Sequence, residues 1–243
     1  MRWSGSGTPT CARWQPILPS TSRVIAFVDA NVLASPVPRT MLYLLAPLSD
    51  YRLVYSPLVE AEAQRHQKPG HVPVSVLRER WDWTLVPDGG EAGDLTDTDP
   101  KDLPVLASAI QAGAAFLVTG NVRHFGAHDL EAHGLSAVHP GLFLAHHTSA
   151  ENYLEVLAAI SAGRLREPRD PQSIHESEIA IQLPALFDSR RELFDNATLK
   201  LIHEPPGTVF RGPRCVRCTL LRMPATDGLC DTCRRSPAEP SAE

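Results

Sequence analysis

Residues 97–125 read DTDPKDLPVLASAIQAGAAFLVTGNVRHF, and two periodicities meet inside them. Val105, Leu106, Ala109, Ile110 and Gly113 recur at the spacing of one helical face, which predicts a helix with Asp99 and Asp102 at its mouth. From Ala115 to Val118 the run is short and continuously apolar, then closes with Thr119, Gly120 and Asn121, as a strand buried in a parallel sheet does. Two helix starts are open. Asp99 can cap a helix whose first residue is Pro100, with Asp102 in a capping arrangement; or regular helix begins only at Pro104, since a proline inside a running helix removes a hydrogen bond. Either way an acid-headed helix feeds a strand whose carboxyl end is polar, the end at which open α/β sheets bind ligands.

Upstream, Val24–Val28 is an apolar run that ends at Asp29, so it predicts a buried first strand delivering a carboxylate to the same edge. The plainer alternative is an Asp29 that only caps the next segment, 35–48, whose helical spacing is carried by Met41, Leu42, Leu44 and Leu45. Tyr51–Tyr55 predicts a second strand, and Ser56-Pro57 opens a helix with Ser as cap and Pro in the first position. On that helix Glu60 and Glu62 point in different directions, and the apolar positions Leu58, Val59 and Ala63 put Glu62 beside the buried stripe. Residues 74–83 form a further helix bearing Arg78, Arg80, Trp81 and Trp83, read as core plus surface, with a basic-aromatic RNA surface as the sharper alternative. The acidic stretch 88–98 that follows suits a cation and not a phosphate.

With 243 residues, 43% of them hydrophobic, the chain can bury one substantial core and a small appendage. A net charge of -5 excludes a wholesale polyanion-binding surface, so any nucleic-acid contact must be local. Residues 1–22 lack an apolar segment of signal-peptide type, and no run is long enough to span a bilayer, which predicts a cytoplasmic protein with a disordered leader and no membrane partner.

Near the carboxyl end, Cys215-Val-Arg-Cys218 and Cys230-Asp-Thr-Cys233 are separated by eleven residues. Two such knuckles are a tetrahedral Zn²⁺ signature, and so short a segment would draw most of its folding energy from the ion. Between Pro205 and Pro237 there are six arginines against Asp227 and Asp231, a formal +4; four thiolates and one Zn²⁺ bring this to +2, which favours RNA docking, with a protein-binding staple as the alternative. Cys11 is left unpaired by this assignment.

Four stretches, taken in order, resemble a PIN domain, in particular the VapC-like toxins: Asp29-Ala-Asn-Val-Leu, Ser56 followed by Glu62, Asp99-Pro-Lys-Asp102 before Val105-Leu106-Ala107, and Leu117-Val118-Thr119-Gly120-Asn121. His139-Pro140-Gly141-Leu142-Phe143 and the helical tail beyond it continue the likeness to about residue 200. The resemblance implies an α/β fold, a PIN-like parallel sheet flanked by helices, with a nuclease domain at 23–143 and a helical extension at 144–204; the cysteine knuckles make 205–236 a zinc-ribbon-like module, followed by a disordered tail at 237–243. It also implies a single-strand endoribonuclease that uses Mg²⁺ or Mn²⁺, the toxin of a toxin–antitoxin pair, with single-stranded RNA, a small antitoxin and a second copy of the chain as partners. Asp29, Glu62 and Asp102 take the main acidic positions and Asn121 the fourth catalytic one, with Asp29, Asp102 and Asp99 around the metal and Arg123, Arg214 and Arg217 on the RNA. The chain departs from the family where an acid is usual at or three residues after position 121: it has Asn121 and His124. His124 could relay a proton near neutral pH or be a plain surface histidine. The loss of that acid keeps open a catalytically weakened PIN-fold RNA-binding or regulatory protein, and the terminal cysteine module keeps open a ribosomal RNA processing nuclease, since another PIN group also ends in a zinc ribbon.

Overall fold

The computed structural model describes residues 23–81, 83–90, 93–164, 168–194 and 209–213. Val24–Val28 forms β1 as expected from its unbroken apolar run, and Asp29 starts the short helix α1, Ala30–Ala34. Helix α2, Pro36–Leu45, and a 3-10 turn at Ala46–Leu48 lead to β2, Tyr51–Tyr55. Then come α3 (Pro57–His66), α4 (Val74–Trp81), the two-residue β3 (Thr84–Leu85), α5 (Leu103–Gln111) and β4 (Phe116–Val118). Helix α6 (Ala127–Ala132), β5 (Ser136–Val138) and α7 (Pro140–His147) complete the alternation.

The strands lie in the order β3-β2-β1-β4-β5, all parallel, with Phe210–Arg211 added as the antiparallel β6 outside β5. From β1 the chain winds outward through β2 to β3, then returns across to β4 and β5. The winding direction therefore reverses between β1 and β4. At such a switch point the helices leave the two strands on opposite sides and open a crevice at the carboxyl ends. Phe27, Val28, Leu117 and Val118, almost wholly buried, fill the sheet on either side of that point. Each stabilises the fold by about 1.5–3 kcal/mol through burial alone.

The tail helices are α8 (Ala150–Gly163), α9 (Pro171–Ile174), a π-helical turn at His175–Ile179, α10 (Ala180–Gln182) and α11 (Pro184–Ser189). Their Tyr153, Val156, Leu157, Ile174, Leu186 and Phe187 belong to the same hydrophobic cluster as the sheet. On α8 Leu154 faces solvent while Tyr153, Val156 and Leu157 are buried. The segment expected to open the cysteine module also supplies β6 to the sheet, with the His139 N–H donating to the Val209 carbonyl at 2.8 Å. The four module cysteines, together with Arg214 and Arg217, lie outside the described residues.

The central helix resolves the two registers in favour of the later one. Asp99 does not start it: the Asp102 N–H donates to the Asp99 carbonyl and the Lys101 N–H to the Asp99 carboxylate, a tight turn, and helix begins at Leu103 with Pro104 in its first turn. Ser56 likewise does not cap α3 with its side chain; the Leu58 N–H donates to Asp88 Oδ1 at 2.9 Å from the neighbouring loop.

Candidate metal centre

Asp29 ends β1 beside the switch point. Its N–H donates to the Val118 carbonyl at 3.0 Å, extending the β1–β4 ladder by one rung, and its Oδ1 accepts the Ala30 N–H at 2.6 Å, capping α1. Oδ2 accepts from the Thr119 hydroxyl at 2.7 Å and from the Asn31 side-chain amide. Asn31 closes the ring: its amide also donates to Thr119 Oγ1 at 3.1 Å, and its carbonyl accepts the Gly120 N–H at 2.8 Å. Asp29 thus both ends β1 and caps α1, not the later segment 35–48. Its carboxylate is only 4% exposed, yet oriented by three donors.

Burial pushes the Asp29 carboxyl up from 3.8 to about 6. The Thr119 hydroxyl and the Ala30 N–H pull it down, while the charges of Asp102 and Glu62 push it further up. Those two acids are therefore within electrostatic reach of Asp29, from the start of α5 and from α3, which packs on α1. Glu60, as its position on α3 suggested, turns the other way and pairs with Arg78 at 3.2 Å.

Asp102 is half-buried and makes no cap bond to its own helix. Its Oδ2 faces His124 Nδ1 at 3.1 Å, and ligand atoms of Asp99, Asp102 and His124 all lie within 4.8 Å of one another. Donors sharing one cation at about 2.1 Å stand roughly 3–4 Å apart, so this group can hold a metal ion with small closure. Of the expected metal set, Asp99 and Asp102 are in this group. Asp29, expected beside them, is not: it lies outside the group, feels the charge of Asp102, and its oxygens are engaged by the chain. Asn121, just before the 3-10 turn Val122–His124 that carries the histidine, and Arg123 within it are both exposed.

The two ligand-bearing segments are braced against each other. The Asp99 N–H donates to the His124 carbonyl at 2.9 Å, and the Gly126 N–H to Thr98 Oγ1 at 3.0 Å. Buried Asp129 on α6 accepts the N–H groups of Thr96, Asp97 and Thr98 at 3.0, 3.0 and 2.8 Å. Burial works against its charge, but these N–H groups and the Thr98 hydroxyl outweigh it and leave the carboxyl below its ordinary value. Sequence reasoning missed Asp129, which has no local signature for a partner about thirty positions away. It also passed over Asn31 and Thr119 as site residues, although each follows an acid or strand end by one or two positions.

No protein-family model matches the chain, and neither does any curated protein or solved structure. Among the described residues no helix is long and apolar enough to cross a membrane.

Proposed function

We propose that this chain is a PIN-like, divalent-metal-dependent endoribonuclease acting on single-stranded RNA, the toxin partner of a small antitoxin. The observation that carries the proposal is a donor group beside a buried acid: ligand atoms of Asp99, Asp102 and His124 lie within 4.8 Å of one another, and buried Asp29 at the switch point feels the charges of Asp102 and Glu62. Uncompensated carboxylates repel one another and repel a phosphodiester, so a site of this composition suits RNA only when a hard dication neutralises it. Bound there, Mg²⁺ or Mn²⁺ would acidify a water and offset charge on the scissile phosphate.

The chain's own residues have separable roles. Asp99 and Asp102 supply oxygen ligands, and Asp29 and Glu62 hold the negative field that favours the cation. Thr119 and Asn31 fix the Asp29 carboxylate in one orientation. Asn121 takes the fourth position as a neutral group able to orient water, and Arg123 on the same turn pairs with the RNA backbone.

Purified protein incubated with single-stranded RNA and Mn²⁺ or Mg²⁺ tests the proposal. Cleavage is expected to fall by on the order of a hundredfold in Asp29→Asn and in Glu62→Gln, with unfolding midpoints measured for both. Cleavage that survives in folded variants removes the mechanism. One observation favours a second reading: three donors of the chain, the Ala30 N–H, the Asn31 side-chain amide and the Thr119 hydroxyl, already engage the two Asp29 oxygens, as in a structural acid. A non-catalytic RNA-binding protein on this scaffold would bind RNA without cutting it under any metal.

A further inference from the structure

We infer that His124 makes this centre selective for a first-row transition dication, Mn²⁺ and its heavier neighbours, over Mg²⁺. The inference rests on the proposed metal-dependent function and narrows it to a class of cofactor. Among the described residues, the donor set whose atoms come within 4.8 Å of one another is two carboxylates and one imidazole, Asp99, Asp102 and His124. Mg²⁺ is hard, prefers an oxygen shell of near-ideal octahedral geometry and gives up water reluctantly. An imidazole nitrogen is a borderline donor whose affinity for dications rises across the first transition row, so replacing an oxygen by this nitrogen penalises Mg²⁺ and rewards Mn²⁺, Co²⁺ or Zn²⁺.

The ring is placed for this role. Nδ1 stands 3.1 Å from Asp102 Oδ2 on the side shared with the acids. With the proton on Nδ1 this contact is a hydrogen bond donated to Asp102; with the proton on Nε2 instead, the same nitrogen offers a lone pair to a cation held between it and the carboxylate oxygens. The backbone of residue 124 is fixed to that of Asp99 by the 2.9 Å bond between Asp99 N–H and the His124 carbonyl, so ligands from two segments keep their spacing before any ion arrives. Asn121, three positions earlier, brings no charge that could restore an oxygen-rich shell. The chemistry left at this end of the sheet is a mixed nitrogen–oxygen site.

Titration of the full chain with Mn²⁺, followed by the loss of the free-ion electron paramagnetic resonance signal and then by Mg²⁺ competition, tests this directly. Thiolates are poor Mn²⁺ ligands, so the carboxyl-terminal cysteines do not enter the count. Half-displacement of Mn²⁺ is expected only at a Mg²⁺ excess on the order of tenfold or more. Pulsed spectra should show ¹⁴N modulation from a coordinated imidazole. In His124→Asp, Mn²⁺ should still bind, the nitrogen signal should vanish and the gap to Mg²⁺ should close; His124→Asn provides the same spectroscopic readout without adding a third carboxylate. Displacement at parity in the native chain, or a nitrogen signal that persists in both variants, overturns the inference. Equal binding of both ions with RNA cleavage intact would remove the selectivity alone, whereas failure of both ions to bind would remove the proposed function with it.

Discussion

The Thr119 hydroxyl donates to Oδ2 of Asp29 at 2.7 Å, joining residues 90 positions apart at the ends of adjacent strands. This bond stabilises the ionised carboxylate against the burial that pushes it up to about 6. Asp29 binds a proton more tightly folded than unfolded. Its contribution to stability is therefore fully present below pH 3.8 and lost as pH rises through about 6. Thr119→Val keeps the shape and removes the donor, so it should raise the Asp29 carboxyl further. Its stability deficit should be greater at pH 7.5 than at pH 4.5 by about 1–3 kcal/mol, the value of a hydrogen bond to a charged group. Carboxyl ¹³C titration and urea unfolding at the two pH values check both statements.

His175 behaves with the opposite sign. It lies at the π-helical turn, wholly buried, with Nδ1 2.8 Å from the Tyr153 hydroxyl and its ring stacked on Phe187 at 4.5 Å. Burial pushes its pKa down from 6.5 to about 4. The neutral ring thus stabilises the fold above pH 6.5, and that stability is lost as pH falls from 6.5 through about 4. The full loss is on the order of 3 kcal/mol. His175→Phe should flatten this acid limb of a stability-against-pH curve measured by chemical unfolding. A native limb unchanged by the substitution would place the acid sensitivity elsewhere.

Strands were legible where local pattern alone decides them, whereas the caps expected at Asp99 and Ser56 did not form. The apolar runs at 24–28 and 51–55 became strands with those limits, because each carries its pattern without outside help. The start of α5 was ambiguous since Asp99-Pro100 and Leu103-Pro104 both look like helix openings. Tertiary bonds decided it, with Asp99 drawn into a turn by the His124 carbonyl. β3 and β6 have two residues each and no period to read. The buried ring of Asp29, Asn31 and Thr119 was half legible. Its members stand in the quoted motifs, but their pairing depends on β1 lying beside β4, which no local pattern states. Asp129 and Asp88 were beyond reach because each serves backbone N–H groups thirty or more positions away.

Asp129→Asn should loosen the metal centre without touching it. The amide keeps one acceptor for Thr96, Asp97 and Thr98 and loses the charge that strengthens all three bonds. A destabilisation of about 2–4 kcal/mol is expected, together with weaker Mn²⁺ binding because Asp99 loses its anchor. Urea unfolding and Mn²⁺ titration of the same sample separate the two effects.

Gly126 sits where the Thr98 segment crosses the start of α6. A Cβ there would lie 2.5 Å from the backbone and Cβ of Asp97. Gly126→Ala must push the two segments apart, so a cost of about 1–3 kcal/mol is expected. The His124–Asp99 spacing should widen, and Mn²⁺ affinity should fall. Native stability and affinity in this variant would show that the brace does not set the site.

A crystal of the full chain soaked in Mn²⁺ and measured near the manganese edge examines the central claim most directly. One anomalous peak is expected at the carboxyl end of the sheet, within ligand distance of Asp102 and facing the Asp29 and Glu62 carboxylates. Its absence at full Mn²⁺ occupancy of the solution, or a peak only at residues remote from Asp29, Glu62 and Asp102, would contradict the claim that these acids serve a common ion.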